Sequence, residues 1–88
     1  MDEQGFRALA KEEGYADPVL VEWDAGHVND AHSHEFDAHI FVLEGDITVS
    51  CGDISVNLAP GSGGRLKAGL EHTEQIGPNG VKFLAARR

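Results

Sequence analysis

Apolar and polar positions along the chain change period once, early. Phe6, Leu9, Ala10 and Glu13 follow helical spacing, with Asp2 and Glu3 suited to a helix start and Gly14 to a stop. This predicts a helix within residues 1–14. It carries few large apolar side chains and is expected to pack over one end of the domain or onto a partner subunit. From Pro18 the period shortens to that of strands. Val19 to Trp23 ("VLVEW") is β-branched and apolar, and Asp24 to His27 breaks it. A second strand is expected to carry His32 and His34. Ala38 to Leu43 ("AHIFVL") reads as a buried strand ended by Glu44-Gly45-Asp46. Ile47 to Cys51 and Ile54 to Leu58 alternate on either side of Gly52-Asp53, which is a hairpin signal. Ala59 to Gly64 reads as a loop. A short strand, a Gly69 turn and a strand near His72 follow. Gly77 to Gly80 ("GPNG") reads as a turn before a last strand, Val81 to Ala86. About seven or eight short strands separated by turns predict a small all-β barrel or sandwich over residues 15–88.

Composition narrows the function classes. The formal net charge is −8, and the only basic cluster is the terminal Arg87-Arg88, so nucleic acid and anionic membranes are not expected partners. No apolar run approaches the roughly 18 residues a membrane span requires. The first residues are too polar for a signal-peptide core, and Cys51 is the single cysteine. Both features lead to the expectation of a cytoplasmic protein. A chain this short has a modest core, so a metal or a partner subunit would add stability.

The distinctive chemistry is in "HSHEFDAHIFVLEG", His32 to Gly45, which holds three of the five histidines. On a strand, His32 and His34 point to one side, and two neutral imidazoles side by side can hold one metal ion. The plain alternative is two surface histidines. His72, preceded by the turn glycine Gly69, lies opposite that pair if the barrel closes. Glu74 is two residues beyond His72 and faces the same way. It is a candidate general base, a candidate partner holding an imidazole, or a solvated carboxylate at the mouth. His27 reads as a rim residue, Phe36, Phe41 and Phe83 as barrel packing, and Cys51 as a buried inert thiol.

These residues are spaced as in the cupin superfamily, which the chain resembles. Gly26, five residues, His32-Ser33-His34, three residues, Ala38, six residues and Gly45 follow the first cupin motif. Gly61, five residues, Lys67-Ala68-Gly69, two residues, His72, three residues and Ile76 follow the second. The residue types depart from it at three places. Ala38 stands where the motif has a metal-binding Glu, Lys67 where it has Pro, and Ile76 where it has Asn. The resemblance implies a double-stranded β-helix (jelly-roll) barrel of RmlC-like type, with a metal held by His32, His34 and His72. His39, at the longer spacing the motif permits, is a further candidate ligand if Glu35 to Asp37 shifts the strand phase. On a regular strand it faces outward and Ala38 inward. Asp37 is a lesser candidate.

Three neutral ligands leave a divalent ion uncompensated, which favours a small anionic molecule as the bound partner. Imidazoles suit several metals, so Fe, Mn, Zn, Ni or Cu all remain candidates. The resemblance brings metal-dependent dioxygenase or isomerase chemistry into range, and no residue singles out either. A non-catalytic binding or sensing barrel with a degenerate metal site is the alternative, and a stress- or storage-type protein without ligand a third. Exposed sheet edges lead to the expectation of a homodimer.

Overall fold

The computed structural model describes residues 1–88. Helix α1 (Glu3–Glu12) is followed by strands β1 (Val19–Trp23), β2 (Val28–His32), β3 (Ala38–Cys51), β4 (Ile54–Leu58), β5 (Gly63–Leu66) and β6 (His72–Arg87). The strands form an all-antiparallel sheet that builds a small β-barrel. No helix is long and apolar enough to cross a membrane.

The two long strands organise the sheet. Along β6, the half from Val81 to Arg87 pairs with β1 and with the start of β3. The half from His72 to Ile76 pairs with β2 and with the end of β3. Strand β3 in turn pairs with β5 at its start and β4 at its end. Two expected turns therefore lie inside strands. Glu44-Gly45-Asp46 does not end a strand: β3 runs through it with register shifts between Val42 and Glu44 and between Gly45 and Ile47. Gly77 to Gly80 likewise sits inside β6, as an excursion between residues that pair with Ile47 and Gly45 of β3. Irregularities of this kind bend a strand and raise its twist, which is how one strand serves both ends of a barrel. Gly45 has a φ of 72°, and a Cβ there would lie 1.9 Å from the Gly80 carbonyl oxygen. Only glycine permits that crossing. Strand β5 begins at Gly63, inside the expected loop. The Gly52-Asp53 hairpin forms as expected, with Cys51 opposite Ile54.

Because β3 is covered on both sides, its alternate residues enter two cores. Ile40, Val42, Ile47 and Val49 face the barrel interior with Val81, Phe83, Ile76 and Leu58. Phe41 faces outward with Leu84 and Ala86 against Phe6, Ala10 and Tyr15 of the N-terminal segment. The helix is built for that seat. Asp2 Oδ1 accepts from the Gly5 amide at 2.8 Å, Lys11 lies in the last turn, and Gly14 takes a positive φ. The Tyr15 amide then closes on the Ala10 carbonyl at 2.9 Å, which turns Tyr15 under the helix. Arg65 of β5 grips Glu13 through both carboxylate oxygens, with a shortest contact of 2.8 Å.

His39 belongs to this outer core and not to the barrel interior. Its ring lies edge-on to Phe6 at 4.8 Å and tilted to Tyr15 at 5.7 Å. The strand keeps its phase at Ala38, so His39, a candidate ligand only if that phase shifted, faces outward and points away from the other histidines. Its Nδ1 is buried without a hydrogen bond, 3.9 Å from Glu13 Oε1. Burial is the main cause that holds its pKa below the usual imidazole value. Arg65 adds to this and Glu13 opposes it.

Two outcomes follow. Phe6→Ala removes a fully buried ring from the seam between helix and sheet and is expected to cost about 3–5 kcal/mol in urea denaturation. A loss below about 1 kcal/mol would show that the helix is not seated there. His39 resists protonation in the folded chain, whereas the unfolded chain takes up that proton below about pH 6.5. Protonation then favours unfolding, so this group's contribution falls as the pH drops through that range. The metal-free protein should lose stability between about pH 7.5 and 5.5, and His39→Leu should lose measurably less. Parallel pH–stability curves for the two proteins would disprove it.

Candidate metal centre

The site is assembled where β2 meets the start of β6. His32 pairs with His72 and Asn29 with Glu74. Between those pairs β2 spends three residue steps and β6 two, so β2 carries one extra residue. The parity matters. His72 and Glu74 are two apart and share a face, whereas Asn29 and His32 are three apart and in a regular strand would face opposite sides. The bulge brings both to the cavity side. His34 lies just beyond β2, on a loop tied down by the Gly69 amide donating to the His34 carbonyl at 2.8 Å. Asp37 anchors the same loop, accepting from the Ala68 amide at 2.9 Å and from Arg88 Nε at 3.2 Å. Those two hydrogen bonds hold its carboxyl below the ordinary Asp range. Asp37 is thus a brace for the loop and lies outside the histidine cluster.

The structure brings His32, His34 and His72 together, with one ligand atom from each within 4.8 Å of the others. Ring centroids are 4.4 Å apart for His32 and His72, 4.9 Å for His32 and His34, and 5.4 Å for His34 and His72. Two of the rings have assigned tautomers. His32 Nδ1 lies 2.7 Å from the Asp30 carbonyl oxygen and His72 Nδ1 lies 3.0 Å from that of Leu70. A carbonyl oxygen can only accept, so each Nδ1 carries the proton and each Nε2 offers a lone pair. Backbone carbonyls orient metal-binding imidazoles in the same way.

The His72 Nε2 atom tests whether the site fits a metal. The residue is 2% exposed, and this nitrogen has no hydrogen-bond partner. A buried polar atom left unsatisfied costs about 1–3 kcal/mol. An ion between the imidazoles removes that cost, so the donor set fits. Neighbouring donors on one ion lie about 2.9–3.5 Å apart, so closing the set calls for small side-chain shifts. The His34 ring makes no hydrogen bond and is held by stacking on Phe36 at 4.7 Å, which leaves it free to close. Burial, followed by repulsion from His32 and His72, holds the His34 pKa below its usual value, which favours the neutral form that binds metals.

His32 and His34 border an open cavity of about 380 Å³. Val21, Trp23, Ile40 and Phe83 form its apolar wall, and Ala38 contributes only a methyl group there. Asn29, Asp30, Glu74 and Arg87 bring polar groups. Glu74 is buried at 7% exposure and is not a solvated rim carboxylate. Its Oε1 lies 3.3 Å from His32 Nε2 and accepts from Asn29 Nδ2 at 3.2 Å. The three imidazoles are thus not isolated from negative charge: a buried carboxylate, Glu74, stands against His32.

Three features were not visible in the sequence. Asn29 carried no signal until its bulge was known. Arg87 read as part of a bare terminal cluster, yet it lines the cavity, with its guanidinium 4.6 Å above the Phe36 ring. Phe36 itself read as barrel packing and instead backs His34 at the mouth. His27 is exposed as expected, donating from Nε2 to Asn29 Oδ1 at 2.9 Å. Cys51 is half-buried beside the inner core, without a partner.

No protein-family model matches the chain, and no curated protein matches it. Solved structures do. One is a protein of unknown function from Rhizobium leguminosarum bv. viciae, with a TM-score of 0.76 and 20% identity over 81% of this chain and 67% of that one. Another is a cupin-2 domain containing protein from Shewanella frigidimarina, with a TM-score of 0.69 and 21% identity over 80% and 67%. A third is KdgF from Halomonas sp., with a TM-score of 0.67 and 23% identity over 81% and 68%. At such identities the likeness establishes a shared fold, and this chain spans about two thirds of each neighbour's length.

Proposed function

Since the chain has the cupin fold, we propose that it is a small metal-binding cupin whose His32, His34 and His72 hold one divalent ion beside a site for a small anionic molecule. The observation that carries this reading is the buried, unpartnered Nε2 of His72, facing two further imidazoles. Fe, Mn, Zn, Ni and Cu are the ions to be tried. When bound, the ion would act as a Lewis acid towards an oxygen of the bound molecule.

Residues of this chain account for the remaining selectivity. Arg87 lines the cavity and forms no ion pair, so its guanidinium is available to a carboxylate or similar group. Taken with a divalent ion, Arg87 outweighs the charges of Glu74 and Asp30 by one positive unit, which favours an anion. Trp23, Phe83, Val21 and Ile40 can shelter an apolar portion of the same molecule from water. The apolar wall also supports a second reading, a binding or sensing barrel that works without metal, because Ala38 supplies no donor.

Metal analysis separates the two. Untagged protein purified without chelator, or reconstituted with each candidate ion, should hold about one equivalent of metal. The double variant His32→Ala/His72→Ala should hold less than a tenth of that. A wild-type protein that takes up none of these ions would leave the metal-free barrel as the reading, to be pursued by ligand-induced thermal shifts. If metal is held, oxygen-dependent turnover and isomerisation of small carboxylates become the assays of choice.

The chain is further proposed to pair with a second copy. Ile54 and Val56 lie on edge strand β4 at 68% and 49% exposure, a surface that pairing would cover. Light scattering after gel filtration should give twice the 9.4 kDa chain mass; a mass of one chain would exclude the dimer.

A further inference from the structure

Glu74 and His32 present a contradiction that a bound cation resolves. His32 Nδ1 carries the ring proton, because its partner is the Asp30 carbonyl at 2.7 Å. In the neutral ring, Nε2 is then a lone pair without hydrogen. Yet Glu74 Oε1, which has only lone pairs to offer when ionised, lies 3.3 Å from that nitrogen. Two acceptors facing each other at this distance repel, and Glu74, at 7% exposure, has little water of its own to offset the contact. A positive charge held by both atoms removes the conflict. A proton on Nε2 would do so as an ordinary ion pair. A metal ion would do so while also satisfying the unpartnered His72 Nε2, which a proton on His32 leaves unpaired.

The spacing agrees with the second solution. Two donors bound at about 2.0–2.2 Å to one ion, at octahedral or tetrahedral angles, are about 2.9–3.5 Å apart. The separation of 3.3 Å lies inside that range. The carboxylate is also held in place from behind. Asn29 Nδ2 donates to the same Oε1, and His27 Nε2 donates to Asn29 Oδ1 at 2.9 Å. This chain of donors fixes which way the Asn29 amide points. It restrains Glu74 on the cavity side of β6, next to His72 on the same strand face.

We propose that Glu74 is a fourth protein ligand of the ion held by His32, His34 and His72, with Asn29 and His27 as its positioning residues. The proposal rests on the metal-binding reading above and adds a negative charge to a set of neutral imidazoles. A carboxylate in the set halves the uncompensated charge of a divalent ion and favours harder ions than three imidazoles alone. It also removes Glu74 from the role of free general base, since its Oε1 lone pair is committed to the ion.

Affinity alone does not separate a ligand from a neighbour that merely holds one, because loss of either weakens binding by about 10–100-fold. The experiment is therefore spectroscopic and crystallographic, on the Co(II)-loaded full chain. In the wild-type crystal, anomalous scattering should place the ion within about 2.5 Å of a Glu74 oxygen. In solution, Glu74→Gln should keep the three imidazoles yet change the position and intensity of the Co(II) visible bands. Asn29→Ala should leave the bands in place and weaken Co(II) binding severalfold. Co(II) bound by the three imidazoles with Glu74 beyond about 3.5 Å, or a Glu74→Gln spectrum identical to wild type, overturns the fourth ligand and leaves the three-histidine reading intact. A wild-type protein that binds no Co(II) overturns both. Should Glu74→Gln fail to fold, the wild-type metal–oxygen distance decides alone.

Discussion

The pairing of β3 with β6 is the constraint from which the other features follow. Each strand is long enough to belong to both ends of the barrel, and each is bent where its partner is bent. The bend depends on Gly45 and Gly80 meeting backbone to backbone, a contact closed to any side chain at position 45. Below the bend, β6 offers His72, Glu74 and Ile76 to the interior; above it, Val81, Phe83 and Ala85. The same pair also presents Phe41, Leu84 and Ala86 on its outer side, which is why a ten-residue helix is needed as a cover. A domain of this size has stability of order 5–10 kcal/mol. Two cores sharing one strand pair make the outer seam a large part of that total, and they tie the rigidity of the site to the seating of a helix that contributes no chemistry.

Within that frame the site is a matter of parity. A strand that alternates strictly can place His32 on the cavity side or Asn29 there, but not both. One extra residue in β2 solves this, and within the same stretch the Asp30 carbonyl accepts a hydrogen bond from His32 Nδ1–H. His72 repeats the device with the Leu70 carbonyl. Both rings are thereby committed to presenting Nε2 before any ligand arrives. The imidazoles are held ready by backbone groups whose positions the sheet already determines, so little ordering remains to be done when an ion binds.

Much of this could be read from residues alone, and the exceptions share a cause. Periodicity located α1, β1, the β3–β4 hairpin and the general all-β architecture, because each is decided by neighbours in sequence. The convergence of His32, His34 and His72 could be anticipated from motif spacing. Turn chemistry misled at Glu44-Gly45-Asp46 and at Gly77 to Gly80. Glycine with acidic or proline neighbours permits a hairpin and permits a bulge equally well, and the partner strand decides between them. His39 was ambiguous for the same reason: only the phase of β3 against β5 and β6 settles which face it takes. Asn29 and Arg87 were invisible because their relevance is tertiary. Asn29 needs the β2 bulge, and Arg87 needs the end of β6 to lie against the loop carrying Phe36.

The charge pattern of the centre unites these details. A chain of formal charge −8 has carboxylates to spare, yet it places one buried carboxylate, Glu74, against the imidazoles and leaves Ala38 across the cavity bare. Burial and the other two rings hold the His34 pKa below its usual value, which favours the neutral form able to accept a cation other than a proton. Arg87 lines the same cavity and forms no ion pair. That exposed guanidinium, stacked on Phe36 beside a pocket with an apolar wall, can meet an anion without first giving up an ion pair. On the proposed reading these groups form one arrangement: the neutral nitrogens would draw in an ion, Glu74 would partly neutralise it from β6, and the remaining positive field would hold a small anion together with Arg87.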